Sequence, residues 1–563
     1  MRIFIIMLLG ACSGDEPAPE DGFTMPQAVV VLPSLEVQSP ERAAFIGAST
    51  LALSGAVEAG SAALDRLTLN SDTDIPLSSD GAFSVPIGLS PGINIFSLRA
   101  EDLGGERAVD GRAVYAGPLY PPGELLEESV RLQLGPELLD DDDSDLDDVA
   151  GIAEYLLEDV GVADAVVGQT IETAYADVTP TSLDFGSVSV DLVPTSEVIL
   201  AEVVLHDLWM DFDAEQWGLS TDGSIWADAV VLTTVLSISG DTVTSSSTVL
   251  ELEGYGGEID WLPDAILTWA EAYLEEELAA TTEALVTDLM GGYLGAFAID
   301  TELLDGVVLS VALADASVSE AGLLLRLDAA VSATSGTLPP EAGSAITDGP
   351  APDWPLSDAP FSVAVDDDLV NQLLFALWGA GALSGFEYDG TALIALTGAE
   401  IAPPLGPLER LTLDMDLPPM LGEATQDDMD ADLSLGEWRM AFHRDDGALL
   451  AFSVNVRVGA QVRFTDADAL SLSLDNRPSL ITMAVGVTDW PSSLDAGDLA
   501  ALVKLMVPPL LGNADNFLPS ITLPPIELGG FSTSMDGIAL TPQALTLSVD
   551  DGGWVVLDGA FGP

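Results

Sequence analysis

The pattern of apolar and polar positions along this chain predicts the same order of strands and helices twice. In each half a short apolar strand precedes an amphipathic helix, a long alternating run, and a second helix with apolar positions near helical spacing. The first half has a predicted strand at 130–134, a helix at about 149–159, strands within 182–253 and a helix at about 262–294. The second half has a predicted strand at 361–365, a helix at about 369–379, strands within 393–487 and a helix at about 496–511. A repeat of about 200 residues predicts two copies of one domain, not a solenoid.

Three local signals refine this pattern. Asp147 or Asp148 precedes the first predicted helix, where a carboxylate can accept hydrogen bonds from free backbone N–H groups. The run Asp445-Asp446-Gly447 separates two apolar stretches and is typical of a hairpin turn. A strict alternation is expected to place five side chains on one face of a strand, namely Val204, His206, Leu208, Met210 and Phe212.

Ahead of the repeat, between residues 28 and 116, short apolar runs alternate with turns built from Gly, Asn and Asp. This spacing predicts a small antiparallel β-sandwich. The sequence "SPERAAFIG…LALSGAV…LTLN…IPLSSDGAFSVPIGLSPGINIFSLRAED" resembles bacterial immunoglobulin-like domains. The resemblance implies a spacer or an adhesive module.

The only cysteine, Cys12, follows one basic residue, a short apolar run and two small residues. This order is typical of a secretory signal peptide, and the apolar run is too short to span a bilayer as a helix. The quartet Leu9-Gly10-Ala11-Cys12 resembles the lipobox of bacterial lipoproteins, which implies diacylglycerol on the Cys12 thiol. Two or more acyl chains anchor a protein stably. We therefore expect a chain tethered to a membrane, and Ser13-Gly14 favours the outer membrane because no retention Asp follows Cys12.

The composition changes this picture in two ways. The formal net charge is −78, from 93 acidic and 15 basic residues, and Lys504 is the only lysine. Such a surface repels phosphate backbones, so the sequence excludes nucleic acid as an expected partner. A single cysteine also excludes a disulfide within the chain, so stability has to come from packing.

Four segments in order resemble the tubular lipid-binding superfamily, in the branch of bactericidal/permeability-increasing protein and lipopolysaccharide-binding protein. They are "SVRLQLGPELLDD…DDVAGIAEYLLEDV", "WLPDAILTWAEAYLEEELAATTEALVTDLM", "FSVAVDDDLVNQLLFALWGAGALSG" and "LMVPPLLGNADNFLPSITLPPIELGGFSTSMDGIALTPQALTLSVDDG". The resemblance implies a boomerang of two elongated barrels, each a twisted sheet around a long helix, joined by a central sheet. Two features of the vertebrate members are missing, the disulfide of the first barrel and the basic tip for lipid A phosphates.

The expected fold class is mainly β with long helices (α+β). An immunoglobulin-like β-sandwich is followed by two sheet-around-helix barrels. The expected parts are a signal peptide at 1–11, a flexible spacer at 12–27, the sandwich at 28–116, a linker at 117–125, a first barrel at 126–331, a linker and central-sheet region at 332–360, and a second barrel at 361–563.

The resemblance also implies apolar pockets that hold acyl chains between sheet and helices. The candidate pocket-lining residues are Leu156, Leu157, Ile266, Trp269, Tyr273, Leu373, Leu374, Phe375 and Leu377. The alternative for each of them is ordinary core packing. Replacing water by an apolar wall gains about 0.8 kcal/mol per buried methylene, so such a slot would bind lipid without charged groups.

A metal site has one candidate, in the acidic run before the first helix. Asp143, Asp145, Asp147 and Glu154 match positions one, three, five and twelve of a calcium loop. Asp148 stands where such a loop has glycine, so a solvated acidic loop that caps a helix is the alternative reading. His206 and His443 are the only histidines and have no cysteine partners, so no zinc site is expected.

No nucleophile elbow or phosphate-binding loop is present, and we expect neither catalysis nor a cofactor. The sequence favours a membrane-anchored lipoprotein of the bacterial envelope that binds phospholipid or other acylated molecules. Transfer of these molecules is an additional candidate function. The alternative is an adhesive or structural surface protein with solid barrels. The protein partners stay unknown.

Overall fold

The computed structural model describes most of the chain. The described residues are 31–142, 146–158, 167–172, 176–216, 219–240, 242–259, 279–280, 283–284, 286–304, 306–347, 349–397, 409–426, 428–444, 447–464, 469–475, 477, 481–489, 496–512, 521–522, 526–527, 539–549 and 553–562. The described part is mainly β-sheet with a few helices, which confirms the predicted class. Among these residues no helix has the length and apolar character needed to cross a membrane.

The N-terminal part is a pair of packed sheets. Its strands are β1 (Ser34–Ser39), β2 (Phe45–Ile46), β3 (Thr50–Glu58), β4 (Leu64–Leu69), β5 (Thr73–Ile75), β6 (Ala82–Gly88), β7 (Gly92–Asp102) and β8 (Arg107–Ala116). One sheet has the order β1-β3-β6 and the other β2-β8-β7-β4-β5. Leu53 and Phe83 of the first sheet share a buried core with Leu67 and Leu98 of the second. Alternating side chains of both sheets thus fill one layer between them.

The next elements form the first half of the repeat. They are β9 (Leu119–Tyr120), β10 (Leu126–Leu134), α1 (Pro136–Leu139), α2 (Val149–Leu156), β11 (Ile171–Glu172), β12 (Asp177–Asp184), β13 (Ser187–Pro194), β14 (Ile199–Gln216), β15 (Leu219–Ser239), β16 (Thr242–Glu253), β17 (Gly256–Ile259), α3 (286–296), β18 (Ile299–Leu304), β19 (Val307–Ser319) and β20 (Gly322–Ala333). The sheet of this half has the order β11-β12-β14-β15-β16, with β13 also on β14 and β17 on β15.

The second half has its own set of elements. They are β21 (Ser344–Ala345), β22 (Phe361–Val365), α4 (Asp367–Gly379), β23 (Phe386–Asp389), α5 (Gly390–Thr397), β24 (Arg410–Met415), β25 (Met420–Gly422), β26 (Ala431–Arg444), β27 (Gly447–Phe464), β28 (Ala469–Leu474), β29 (Thr482–Asp489), α6 (Ala496–Leu511), β30 (Ile521–Thr522), β31 (Ile526–Glu527), β32 (Ala539–Val549) and β33 (Val555–Gly562). Its sheet runs β23-β24-β26-β27-β28-β30, with β25 on β26 and β29 on β27.

A central eight-stranded sheet joins the two halves. Its order is β18-β19-β20-β10-β22-β33-β32-β31, so each half supplies four neighbouring strands. The opening strands of the halves, β10 and β22, lie side by side and antiparallel, with Leu132 opposite Val363. The two opening strands therefore meet at the middle of the central sheet.

The helix starts follow from local capping. The Asp148 carboxylate accepts a hydrogen bond from the Gly151 backbone N–H, which identifies Asp148 as the cap of α2. The Asp366 carboxylate accepts from the Asp368 N–H, so α4 begins at Asp367, two residues before the predicted start. Side chains of this kind satisfy backbone donors that the first helical turn leaves free.

The predicted alternation in β14 is wrong over part of its length. Leu208, Met210 and Phe212 share the buried face, but Val204 and His206 lie on the outer face. The buried positions step from Leu205 to Leu208, three residues apart, because Asp207 adopts a φ of 52° and interrupts the alternation. A left-handed residue in a strand turns the chain locally, so a period-two count cannot be carried across it.

The N-terminal sheets lie directly against the second half. Glu437 of β26 is 1% exposed, and its carboxylate accepts hydrogen bonds from the Ala113 N–H and from Arg42. Arg42 also pairs with Asp110, which in turn accepts from Arg112. Two positive and two negative side chains thus form one network between β8, the segment before β2, and β26.

Candidate functional site

The long hairpin β14–β15 presents one continuous apolar face to the interior of the first half. Along β14 this face consists of side chains that are at most 2% exposed, namely Ile199, Ala201, Val203, Leu205, Leu208, Met210, Phe212 and Ala214. At a rise of about 3.3 Å per residue, the row is about 50 Å long. Typical strands have only about 5–6 residues. Because this apolar face is much longer than a typical strand, we call it the elongated wall of β14, or the β14 wall.

The second half repeats this arrangement on β26 and β27. Leu433, Trp438 and Phe442 of β26 are at most 1% exposed and share a core with Met506 and Val507 of α6. The core also contains a stacked aromatic pair, because the Phe442 and Phe452 ring centroids are 6.0 Å apart. Each half therefore encloses an apolar interior between one curved sheet and the helices that pack on it.

The structure distributes the predicted pocket residues among several places. Leu156 and Leu157 lie in the core of the first half. Leu374 and Leu377 lie in the core of the second half, and the partly buried Leu373 packs against it. The remaining helix candidates of the first half, Ile266, Trp269 and Tyr273, lie outside the described residues.

Phe375 has a different environment from its helix neighbours. It is 2% exposed and contacts Trp378 of the same helix, with ring centroids 5.7 Å apart. Trp378 lies 5.9 Å from Phe45, which lies 5.4 Å from Tyr115 in the N-terminal sheets. Phe375 thus begins a row of four rings that leads to the N-terminal part.

The predicted calcium residues do not form a complete described site. Asp143 and Asp145 lie outside the described residues, and Asp147 precedes the cap Asp148. Glu154 Oε1 accepts a hydrogen bond from the Val190 backbone N–H of β13 at 2.9 Å. Burial, together with the nearby carboxylates of the acidic run, raises the pKa of Asp148 to about 7.

A cavity of about 300 Å³ lies at a different place, where α4 begins. Its lining combines carboxylates, polar groups and apolar side chains from α4, the segment around β25, and the ends of β27, β32 and β33. The lining residues are Asp367, Leu421, Gly422, Glu423, Ala424, Thr425, Gln426, Met429, Asp430, Ala431, Val462, Val549, Gly553 and Val555. No sequence pattern indicated this site, since its residues come from five separate segments and match no motif.

Asp367 connects this cavity to a group of three consecutive carboxylates. The Thr347 Oγ1 lies 2.7 Å from Asp367 Oδ1 and 2.7 Å from Asp368 Oδ1. Asp366, Asp367 and Asp368 have carboxylate oxygens within 4.8 Å of one another. Burial and these two neighbours raise the pKa of Asp367 to about 7, against the lowering effect of Thr347.

Of the comparisons with known proteins, only the comparison with solved structures found similar proteins. No protein-family model and no curated protein matches the chain. The structure is similar to the crystal structure of lipopolysaccharide binding protein, with 12% identity and a TM-score of 0.39, over 78% of this chain and 99% of that one. It is also similar to P47 of Clostridium botulinum E1, at 8% identity and a TM-score of 0.26 over 78% and 100% of the two chains. P47 from Clostridium botulinum A2 gives 8% identity and a TM-score of 0.27 over 77% and 97%. Lipopolysaccharide binding protein is thus among the solved structures to which the structure of this chain is similar.

Proposed function

We propose that this chain binds the acyl chains of a lipid in the apolar interior of its two halves. The observation that carries the proposal is the elongated wall of β14. Its inner row is about 50 Å long by the rise of a strand, and every side chain of this row from Ile199 to Ala214 is apolar. A long, narrow, apolar surface matches the shape and chemistry of an acyl chain.

The electrostatics favour a neutral or zwitterionic lipid over a polyanionic one. The chain carries a net charge of −78 and one lysine, so an anionic headgroup would be repelled at most of its surface. Acyl-chain burial does not depend on such charges, since about 0.8 kcal/mol per methylene comes from apolar contact alone. Phospholipid or another acylated molecule is the proposed ligand.

We extend the proposal to the membrane anchor, the N-terminal sheets and the arrangement of the two halves. Cys12 carries the lipid anchor, and the chain is held at the outer membrane of a bacterial envelope through it. The two packed N-terminal sheets act as an immunoglobulin-like module, and the two halves form the boomerang that the resemblance implies. The protein transfers or holds lipid and catalyses no reaction.

A pair of neighbouring substitutions tests lipid binding in the first half. Ala201 is 0% exposed on the inner face of β14, whereas the adjacent Leu200 is 39% exposed on the outer face. Ala201→Trp should reduce the amount of lipid extracted from the purified protein, because the indole would occupy the position of the acyl chain. Leu200→Trp is the matched control and should retain the lipid of the parent.

The alternative function is structural or adhesive, with interiors filled by side chains. The burial of the β14 inner row favours this alternative, because its side chains from Ile199 to Ala214 are at most 2% exposed and belong to the core of the first half. In that case Ala201→Trp would overpack a full core and destabilise it by about 1–3 kcal/mol. A parent protein that yields no extractable lipid, together with such destabilisation, would support the structural function.

A further inference from the structure

The outer faces of the long hairpins in the two halves differ. On β27, the five consecutive residues 452–456 are at most 1% exposed. On β14, Leu200 is 39% exposed and Glu202 is exposed, whereas their neighbours on the inner face are buried. A strand that packs on one face alternates between buried and exposed positions, and a strand that is covered on both faces does not. The sheet of the second half is therefore covered on both sides at this place, and β14 has solvent behind it.

Strand β8 of the N-terminal sheets provides this cover, because it lies against β26, β27 and β29. The contact leaves no room for a side chain at Gly111 of β8, since an added Cβ would lie 2.5 Å from the backbone N of Val485 in β29. Backbone thus packs directly on backbone at this point. Packing of this density excludes water and transmits any displacement of one layer to the other.

Hydrogen bonds connect β8 to the same strands. The Ala113 N–H donates to the Glu437 carboxylate at 2.8 Å, and the Glu437 N–H donates to Asn455 Oδ1 at 2.7 Å. Asn455 Nδ2 in turn donates to the Ala484 carbonyl of β29 at 3.3 Å. Glu437 and Asn455 are both at most 1% exposed. Separating the layers would leave buried polar groups without partners, so these bonds resist the separation.

The N-terminal sheets also hold the helix side of the second half. The Trp378 ring of α4 lies 5.9 Å from the Phe45 ring, and the Tyr115 hydroxyl accepts a hydrogen bond from the Ala345 N–H at 3.0 Å. The same helix supplies Leu374 to the core of the second half. The N-terminal sheets thus contact both the sheet and the helix that enclose this interior.

Entry or release of a lipid requires the sheet and the helices of one half to separate locally. In the second half, this motion would also disrupt the contacts with β8 and Phe45. We propose that the N-terminal sheets act as a brace that keeps the second half closed, so that its lipid exchanges more slowly than that of the first half. The inference rests on the proposed lipid binding and assigns different exchange rates to the two halves.

Amide hydrogen exchange of the full chain tests the brace in the absence of lipid. We expect the backbone amides of β26 and β27 to be protected about tenfold more than those of β14 and β15, after correction for intrinsic rates. Gly111→Ala inserts a methyl group between β8 and β29 and should accelerate exchange in β26 and β27 by about tenfold. Gly88→Ala in β6 is the matched control, because an added Cβ there meets nothing within 4 Å. It should leave exchange in these strands unchanged.

Release of a fluorescent phosphatidylcholine to excess unlabelled vesicles tests the consequence for lipid. The parent should release lipid in two phases whose rates differ by about tenfold, because only the second half is braced. Ala201→Trp should remove the fast phase, which belongs to the first half. Gly111→Ala should accelerate the slow phase alone, and Gly88→Ala should change neither rate.

The two measurements separate failure of the brace from failure of lipid binding. Equal protection of the two hairpins, or equal amide exchange in Gly111→Ala and the parent, would overturn the brace with or without lipid. Release of all bound lipid at one rate would overturn the proposed difference between the halves. A chain without bound lipid would contradict the proposed function, and amide exchange would then decide on the brace alone.

A second variant keeps the inference testable if Gly111→Ala fails to fold. Arg42 pairs with Glu437 across the same contact, so Arg42→Gln should also accelerate amide exchange in β26 and β27. Unchanged exchange in that variant would contradict the brace.

Discussion

Glu437 accepts a hydrogen bond from the backbone N–H of Ala113 across 2.8 Å, although 324 residues separate them in the chain. Glu437 has a φ of 47°, at a register shift between Leu435 and Trp438 in the pairing of β26 with β27. Its side chain is 1% exposed and lies against the Ala113 N–H and Arg42 of the N-terminal part. An irregular position in one strand thus builds the contact between the N-terminal sheets and the second half.

Replacing Glu437 by Gln should loosen this contact without removing much volume. The amide keeps an acceptor for Ala113 but loses the charge that faces Arg42. Hydrogen bonds to charged groups contribute about 1.5–3 kcal/mol. We therefore expect hydrogen exchange of the β8 backbone amides to become faster by about one to two orders of magnitude, measured by mass spectrometry.

A surface pair supplies the control for this substitution. Glu387 pairs with Arg410, and both side chains are about half exposed. Glu387→Gln should change stability by about 0–1 kcal/mol, because solvent screens such pairs. If both variants exchange at the rate of the parent protein, the Glu437 network does not hold the N-terminal sheets in place.

The raised pKa of Asp148 makes stability depend on pH. The unfolded-state pKa is near the ordinary value of 3.8, and the folded-state pKa is about 7. The folded state therefore binds more protons between these values, so this group's contribution is complete below pH 4 and is lost as the pH rises through 7. Asp148→Asn cannot ionise and remains a good helix cap. Its free energy of unfolding relative to the parent should increase from pH 4 to pH 8, as measured by urea titration.

Asp389→Asn tests whether this effect is specific to burial. Asp389 is exposed and accepts a hydrogen bond from the Ala392 N–H, so it has a similar local role without the buried setting. Its stability difference from the parent, measured over the same pH range, is the reference for an exposed carboxylate in this local role. A constant difference for Asp148→Asn would show that Asp148 is ionised in the folded protein at all these pH values.

Two tryptophans on the outer face of the first half form a stacked pair. Trp209 and Trp226 are opposite each other in β14 and β15, with centroids 5.4 Å apart and planes at 12°. Gly256 lies so close that an added Cβ would be 2.7 Å from the Trp226 Nε1. Gly256→Ala should therefore displace the Trp226 ring and reduce the exciton signal of the pair in circular dichroism. Trp378→Phe, which removes an indole elsewhere, should leave that signal intact.

The lipid anchor predicted at Cys12 lies outside the described residues and has its own test. Cys12→Ala should release the chain from the membrane fraction, since acylation requires the thiol. Intact-mass measurement of the parent should show acyl chains on the N-terminal peptide. A Cys12→Ala variant that stays firmly in the membrane fraction would contradict the predicted attachment.

Local elements could be predicted because short-range patterns determine them. The strand Phe361–Val365 and the helix Ala496–Leu511 have the predicted bounds. The hairpin at 445–447 is confirmed by the pairing of Arg444 with Gly447, although its two central residues lie outside the described part. Each of these elements has a continuous period and clear turn residues at its ends.

Long-range contacts and left-handed residues could not be read from periodicity. The φ of 52° at Asp207 moves Val204 and His206 to the outer face, and no residue pattern marks it. Phe375 and Leu374 are adjacent in the same predicted helix. Leu374 lies in the core of the second half, whereas the Phe375 ring contacts Trp378, which leads toward the N-terminal sheets. The cavity near Asp367 depends on residues nearly 200 positions apart, such as Asp367 and Gly553.

Native mass spectrometry of the intact chain tests the proposed acyl-chain interior most directly. The chain would be purified, incubated with phosphatidylcholine vesicles, separated from them and measured beside an untreated sample. Lipid binding in the two halves predicts a mass increase of one or two whole lipid molecules that persists through gentle ionisation and is lost on organic extraction. A chain that shows only its own mass before and after incubation, with no lipid in the extract, would contradict lipid binding and favour solid interiors.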